Sequence, residues 1–341
     1  MLCTHRPEPS IAGDIVTKNT NRTALVTGAS SGLGFEAAAQ LAEAGYGRVI
    51  ITARSKPKAA RARSSLQART AADVFETLIV NLDNRATIAT AIADLGERGR
   101  HIDVLLLNAG LVSAQEVTRT DAGIESTVAA TLIGHHVLTM GLLDADLLSD
   151  HVRIVIAGSE AARGDVPTFN PIDIPAIADA EFDGDTVAAI EGVMRMDPRI
   201  GYHAGNQYAT TKLFAAWWAA ELARQLPAGM TVNAVSPGST PDTDAGRNAP
   251  FFTKRVMLPM LRILPGMSHS VADGAGRYLE AADFGPDQTG IFFASKPKKM
   301  TGPLHVIEMD YIVNPGLQRA LWDATTVVSD GVGYPADQAG R

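Results

Sequence analysis

Cysteine is nearly missing from this sequence, with one in 341 residues, Cys3. A single thiol closes no internal disulfide and leaves no cysteine-based zinc site, so a reducing cytoplasm fits best. Long apolar runs are missing too. No stretch supplies the ~18 uninterrupted apolar residues of a membrane span. Residues 1–22, "MLCTHRPEPSIAGDIVTKNTNR", lack the apolar centre of a signal peptide and read as a flexible arm. Positive charge is in deficit, with 30 Lys+Arg against 37 Asp+Glu and a formal net charge of −7. That balance gives no support for nucleic acid or an acidic membrane as principal partner, which leaves small molecules. Short internal repeats and low-complexity tracts are also absent.

What remains is rich in apolar residues, 46% of the chain, ample for a sizeable core. Short β-branched runs alternate with longer amphipathic stretches. "TALVT" (23–27), "RVIITA" (48–53), "TLIVN" (77–81), "DVLLLNAG" (103–110), "RIVIAGS" (153–159) and "MTVNAVSPG" (230–238) read as buried parallel strands separated by helices. The expectation is an α/β fold of the Rossmann type, a doubly wound parallel sheet of about seven strands with helices on both faces. It forms a single domain over residues 23–325, followed by a tail over 326–341.

The first strand runs into "TGASSGLGFEAAAQLAEAG", so that Gly28, Ser30, Ser31, Gly32, Leu33 and Gly34 form a turn opening a helix. Glycines there permit a tight turn and let backbone amides and the positive helix end approach a pyrophosphate. The second strand ends at Arg54, where an acid for an adenosine ribose 2′-hydroxyl is absent. A guanidinium can pair with a 2′-phosphate, which favours NADP(H) over NAD(H). Lys56, Lys58, Arg61 and Arg63 continue the charge, and a solvated helix face explains them equally well. Further on, "GNQYATTKLF" (205–214) sets Tyr208 and Lys212 one helical turn apart on one face, either a surface pair or a proton donor beside the cation that tunes it.

The spacing T-G-x-x-x-G-x-G from Thr27 to Gly34 resembles the short-chain dehydrogenase/reductase family. "NAG" at Asn108, Ala109 and Gly110, "GS" ending at Ser159, "YATTK" from Tyr208 to Lys212, and "PG" at Pro237 and Gly238 follow in that family's order. The resemblance spans residues 22–325 and is nearest in flavour to the retinol dehydrogenase and protochlorophyllide reductase branch. "LIGHHVLTMGLL" (132–143) and "LQRALWDATTVV" (317–328) are similar to helices of that branch.

The resemblance implies carbonyl chemistry with a nicotinamide cofactor. Tyr208 would give its proton to a developing alkoxide, Lys212 would lower the phenol's pKa from about 10 and orient the ribose, and Ser159 would hold the substrate oxygen. The implied result is an NADP(H)-dependent oxidoreductase acting on a carbonyl or secondary alcohol of a fairly apolar substrate. Alternatives are reduction of a carbon-carbon double bond, as in protochlorophyllide reductase, and a non-catalytic NADPH sensor. Thr131 stands where the family carries an asparagine in a water-linked proton path, and Asn81, followed by Leu82, where it often carries an aspartate beside adenine. Asp83 reads as a helix cap.

Residues 160–207 form an insertion, expected to be a substrate lid with a short helix over 185–196. Residues 239–283 read as a second lid, with Thr240 or Thr243 near the nicotinamide amide or phosphates and an amphipathic run over 256–264. Adjacent His135 and His136 would point about 100° apart on a helix and offer no metal site. Trp217 and Trp218 read as core or subunit contact, and the helices over 124–147 and 206–226 are offered as the face of a homodimer.

Overall fold

A computed structural model describes residues 19–99, 101–112, 115–240 and 268–333. Eight strands form one sheet in the order β3-β2-β1-β4-β5-β6-β7-β8. They are β1 (Thr23–Val26), β2 (Arg48–Ala53), β3 (Phe75–Ile79), β4 (Ile102–Leu107), β5 (Leu148–Ala157), β6 (Thr231–Val235), β7 (Phe292–Ala294) and β8 (His305–Val306). All neighbours pair in parallel except β7 and β8. The doubly wound sheet expected from the sequence is therefore present, with an eighth strand too short to show any periodicity.

Helices cover both faces because successive strand residues point to opposite sides. On one face Ala24, Val26, Val104 and Leu106 pack with Ala37, Ala38 and Leu41 of α1 (Gly32–Glu43), Leu66 of α2 (Lys56–Thr70) and Tyr278 of α8 (Val271–Ala282). On the other, Leu25, Leu105 and Leu107 pack with Ile88 of α3 (Arg85–Arg98), Leu138 of α4 (Ser126–Asp144) and Trp218 of α7 (Ala204–Ala223). Both families of side chains are almost wholly buried, which explains why these strands read as continuous apolar runs rather than alternating ones.

The 160–207 insertion builds α5 (Ile174–Glu181) and α6 (Thr186–Arg195), capped by Asp173 and Asp185. Its apolar residues Ile174, Ile190 and Val193 join the main core, so much of the segment is part of the body rather than a loose cover. The chain closes with α9 (Asp310–Val313) and α10 (Pro315–Val328), and α10 packs on α6 and α7. The last helix therefore runs past residue 326, where a tail was expected to begin.

One other expectation changes. Asn84, not Asp83, caps α3, its side chain accepting from the Thr87 N–H. Trp217 and Trp218, expected as core or subunit contact, lie in the core, 1% and 0% exposed. The helices offered as a subunit face are covered along most of their length by this chain's own α3 and α10. The run Ser126–Asp144 is long and apolar enough to cross a membrane by length and composition, but 78% of it is buried inside this fold. The leader over residues 1–18, Thr243 and the run over 256–264 lie outside the described residues.

Candidate active site

The sequence-predicted residues gather along one edge of the sheet, at the carboxyl ends of the parallel strands where open α/β sheets bind ligands. Gly28 follows β1, Arg54 β2, Asn81 β3, Asn108 β4, Ser159 β5 and Pro237 β6. The order of strands reverses between β1 and β4, and the glycine turn and the Asn108–Ala109–Gly110 turn meet there. Gly28 and Gly32 have φ of +65° and +59°, the left-handed region that glycine adopts without strain. A Cβ on Gly34 would lie 2.4 Å from Asn108 Nδ2, and one on Gly28 would lie 2.9 Å from Ala109 Cα. These two glycines thus let the turns pack on each other, a role beyond leaving room for a phosphate.

Ser31 precedes α1 in extended conformation without capping it, and no acid occupies the first turn. Among the described residues no side chain caps the start of α1, as suits an anion-binding helix end. Ser30, Ser31, Gly110 and Arg54 are exposed along the same edge. Asp83 sits within electrostatic reach of Arg54; its carboxyl is held above the usual range by partial burial, against the pull of that guanidinium. Asn81 exchanges backbone hydrogen bonds with the Thr87 hydroxyl, and the Leu82 carbonyl packs on α4, where a Cβ at Gly134 would come within 2.4 Å. On the far side, Leu33, Pro237 and Thr240 converge on Gly274. Gly238, at φ +79°, follows directly on Pro237. These residues share one edge of the sheet, with the Arg54 guanidinium at one end and the start of α1 at its centre, a chemistry that fits a dinucleotide phosphate.

Beside it stand the three proposed reacting groups. The Ser159 hydroxyl accepts from the Ala161 N–H at 3.2 Å, and its side chain is near enough to Tyr208 to influence the phenol's ionisation. Burial pushes the Tyr208 phenol above its ordinary pKa, the neighbouring Ser159 hydroxyl pulls it down, and the nearby Glu160 carboxylate pushes it up. Lys212 is 6% exposed, donates to the Ala157 carbonyl at 2.7 Å, and has its pKa lowered by burial to about 8. Its Nζ lies 5.9 Å from the centre of the Tyr208 ring. The lysine is thus tied to the strand end that carries the serine, one helical turn from the phenol.

Thr131 lies in a π-helical turn, Ala129–Ile133, inside α4, and its buried Oγ1 lacks a hydrogen-bond partner among the described residues. A Cβ on Gly110 would sit 3.1 Å from that oxygen and 3.9 Å from Lys212 Nζ, so the hydroxyl and the ammonium border the same glycine. The Thr131 carbonyl accepts from His135 Nδ1 at 2.9 Å, which leaves Nε2 to accept from the Thr27 hydroxyl at 2.9 Å. Thr27 in turn accepts from the Ala109 N–H, so a neutral histidine links the π turn to both cofactor turns. Burial lowers the His135 pKa to about 3. His136 is likewise buried, contacting the Trp218 indole N–H and the Val332 carbonyl. Neither imidazole is available to a metal.

Two further features were not visible in the sequence. Glu160 and Arg277, 2% and 5% exposed, pair at 3.2 Å directly behind Ser159. Glu160 also accepts from the Ser236 hydroxyl and from both donors of Ser295, while Arg277 donates to the Ser236 carbonyl. The pair thereby joins the serine's loop to the Pro237–Gly238 loop; its members are 117 positions apart, and no local pattern announces it. The second feature is Phe169 of the insertion, whose ring stands 5.8 Å from that of Tyr208.

With this geometry in hand, comparison with known proteins is specific. The short chain dehydrogenase family model matches residues 22–171. A WW domain-containing oxidoreductase of Drosophila melanogaster is 30% identical over 71% of this chain and 54% of its own length. Human retinol dehydrogenase 13 is 26% identical over 83% of this chain and 78% of its own, and protochlorophyllide reductase of Chlamydomonas reinhardtii 24% over 93% and 80%. Among solved structures, a short chain dehydrogenase from Burkholderia cenocepacia J2315 in complex with NADP superposes with a TM-score of 0.57 at 23% identity, covering 80% of this chain and 95% of that one. The chain is thus similar to the short-chain dehydrogenase/reductase family, oxidoreductases that work with nicotinamide cofactors, and within it to the retinol dehydrogenase and protochlorophyllide reductase branch.

Proposed function

We propose that this protein is an NADP(H)-dependent oxidoreductase that interconverts a carbonyl and a secondary alcohol on a fairly apolar small molecule. The observation that carries the reading is the convergence of Ser159 and Tyr208 with a buried Lys212, which is bonded to the strand end that carries the serine and lies 5.9 Å from the centre of the phenol ring. Ser159 holds the substrate oxygen. Tyr208 hands its proton to that oxygen as negative charge develops on it, and takes the proton back in the oxidative direction. Lys212, a buried cation near the phenol ring, favours the phenolate. Thr131, with its unpartnered hydroxyl facing the same glycine as Lys212, is read as part of the path returning a proton to solvent.

When bound, NADP(H) supplies the hydride in one direction and accepts it in the other. The amides from Gly28 to Gly34 would hold its pyrophosphate, Arg54 its 2′-phosphate, Asn81 and Leu82 its adenine, and Asn108–Ala109–Gly110, Lys212 and the Pro237, Gly238 and Thr240 segment its nicotinamide half. Arg54 is exposed and faces outward at the right strand end, which supports NADP(H) over NAD(H). Asp83 is the competing influence, since a carboxylate there suits a free ribose. Replacing Arg54 by Ala should therefore weaken NADPH binding roughly tenfold in a fluorescence titration and leave NADH within twofold.

The direct test is a screen of ketones, aldehydes and alcohols for NADPH absorbance change, with Tyr208→Phe as control. Turnover unaffected by that substitution would remove the mechanism. Reduction of a carbon-carbon double bond is the rival supported by the likeness to protochlorophyllide reductase. The same tyrosine would then protonate carbon, and the screen separates the two by product. The single cysteine supports a cytoplasmic setting. A homodimer through residues 124–147 and 206–226 has little uncovered surface to rest on, and light scattering of the purified chain reads it directly.

A further inference from the structure

We propose that Phe169 selects the substrate by walling the space beside Tyr208, so that the reacting carbon is carried on, or next to, a flat apolar ring. The inference rests on the reading of Tyr208 as the proton donor and adds the class of compound it serves.

Phe169 ends a tight turn in the insertion, Val166–Pro167–Thr168–Phe169, closed by its own N–H on the Val166 carbonyl at 3.1 Å. Proline in second place and a positive φ in third is a pattern in which glycine ordinarily takes the third position. Here that residue is Thr168, at φ +71°. A β-branched side chain in the left-handed region persists only where its surroundings over-determine it, and such residues collect at ligand clamps.

The surroundings here are the catalytic helix itself. The Thr168 carbonyl lies where a Cβ on Gly205 would come within 2.3 Å, so only glycine admits the turn at that point of α7. One residue past the ring, the Asn170 N–H donates to Asn206 Oδ1 at 3.4 Å; two further on, the Ile172 N–H donates to Thr210 Oγ1 at 2.8 Å. Gly205, Asn206 and Thr210 lie on both sides of Tyr208. The insertion is thus stitched to α7 before and after the phenol, and the stitch fixes the two rings edge to face, 5.8 Å apart at 64°.

Both rings remain half-buried. Each keeps free surface, and the Phe169 ring has no polar atom to offer. A flat apolar group entering beside the phenol gains contact and edge-to-face attraction from it, whereas a polyol or a short aliphatic ketone gains little. A contact of this size is worth roughly tenfold in discrimination between substrates.

Acetophenone and 2-butanone with NADPH are the probes, compared for the wild type, Phe169→Ala, Phe169→Tyr and Thr168→Gly. The wild type should favour acetophenone. Phe169→Ala should lose about tenfold of that preference, mainly through KM, with 2-butanone changed by less than twofold; Phe169→Tyr should keep it, and Thr168→Gly should keep it because the turn then meets no strain. Calorimetric titration of acetophenone into the NADPH-loaded Tyr208→Phe protein, with and without Phe169→Ala, reads the same contact without turnover and should show a similar loss of affinity. A wild type indifferent to the two ketones, an equal loss for both in Phe169→Ala, or no acetophenone binding would overturn the inference. Undiminished turnover by Tyr208→Phe would instead overturn the reading on which it rests.

Discussion

Lys212 shows how a single residue can be placed against its own stability. Its pKa is lowered from 10.5 to about 8 because burial penalises the charge. Below about pH 8 the folded chain carries a cation that the unfolded chain would hold more easily, so the fold is penalised there. The penalty fades as pH rises from 8 towards 10.5, where the unfolded chain alone still binds the proton. Lys212→Met should therefore raise stability at pH 7 by roughly 2 kcal/mol, after allowing for the lost bond to Ala157, and the gain should vanish near pH 10.5 in urea unfolding. The same variant should be inactive, a trade of function against stability. Ser159 gives a second test at this scale. Its hydroxyl, beside Tyr208, lowers the phenol's pKa, so Ser159→Ala should move the ascending limb of alcohol oxidation to higher pH, besides slowing it.

Elements decide what single residues cannot. The π turn of α4 carries Thr131 with an unpartnered hydroxyl in a buried position, and such turns are frequent at functional sites. Thr131→Val keeps the shape and removes the orphaned group, so it should raise the melting temperature slightly while lowering turnover several-fold; unchanged turnover would take Thr131 out of the proton path. The Glu160–Arg277 strut is the stiffer device. Glu160→Ala leaves a guanidinium buried without its carboxylate, and a loss of about 3–5 kcal/mol in urea unfolding is expected. The glycine turn and the Tyr208–Lys212 spacing were legible in the sequence because each lies within one strand-turn-helix or one helical turn. The strut, the His135 bridge and the Phe169 contact were not, since each joins segments whose meeting only the assembled sheet decides. Helix α6 was legible through Asp185 and its apolar spacing, whereas the two residues of β8 are too few for any pattern.

For the molecule as a whole, the sheet's C-terminal edge gathers the candidate site residues and α4 beside it holds two neutral histidines. His135 and His136 are both fully buried, with pKa values lowered by burial to about 3 and about 4. Unfolding lets them return to about 6.5, so their contribution is complete above pH 6.5 and is lost as pH falls towards those values. Stability should then drop by roughly 3 kcal/mol between pH 7 and pH 5, and His136→Asn should halve the slope in urea titrations at the two pH values. The three tryptophans of the chain, Trp217, Trp218 and Trp322, lie in one cluster where α7 meets α10, all 5% exposed or less. Intrinsic emission from this protein is consequently a local gauge: it will shift to the red when the closing helix peels away, even while the nucleotide half of the sheet stays intact.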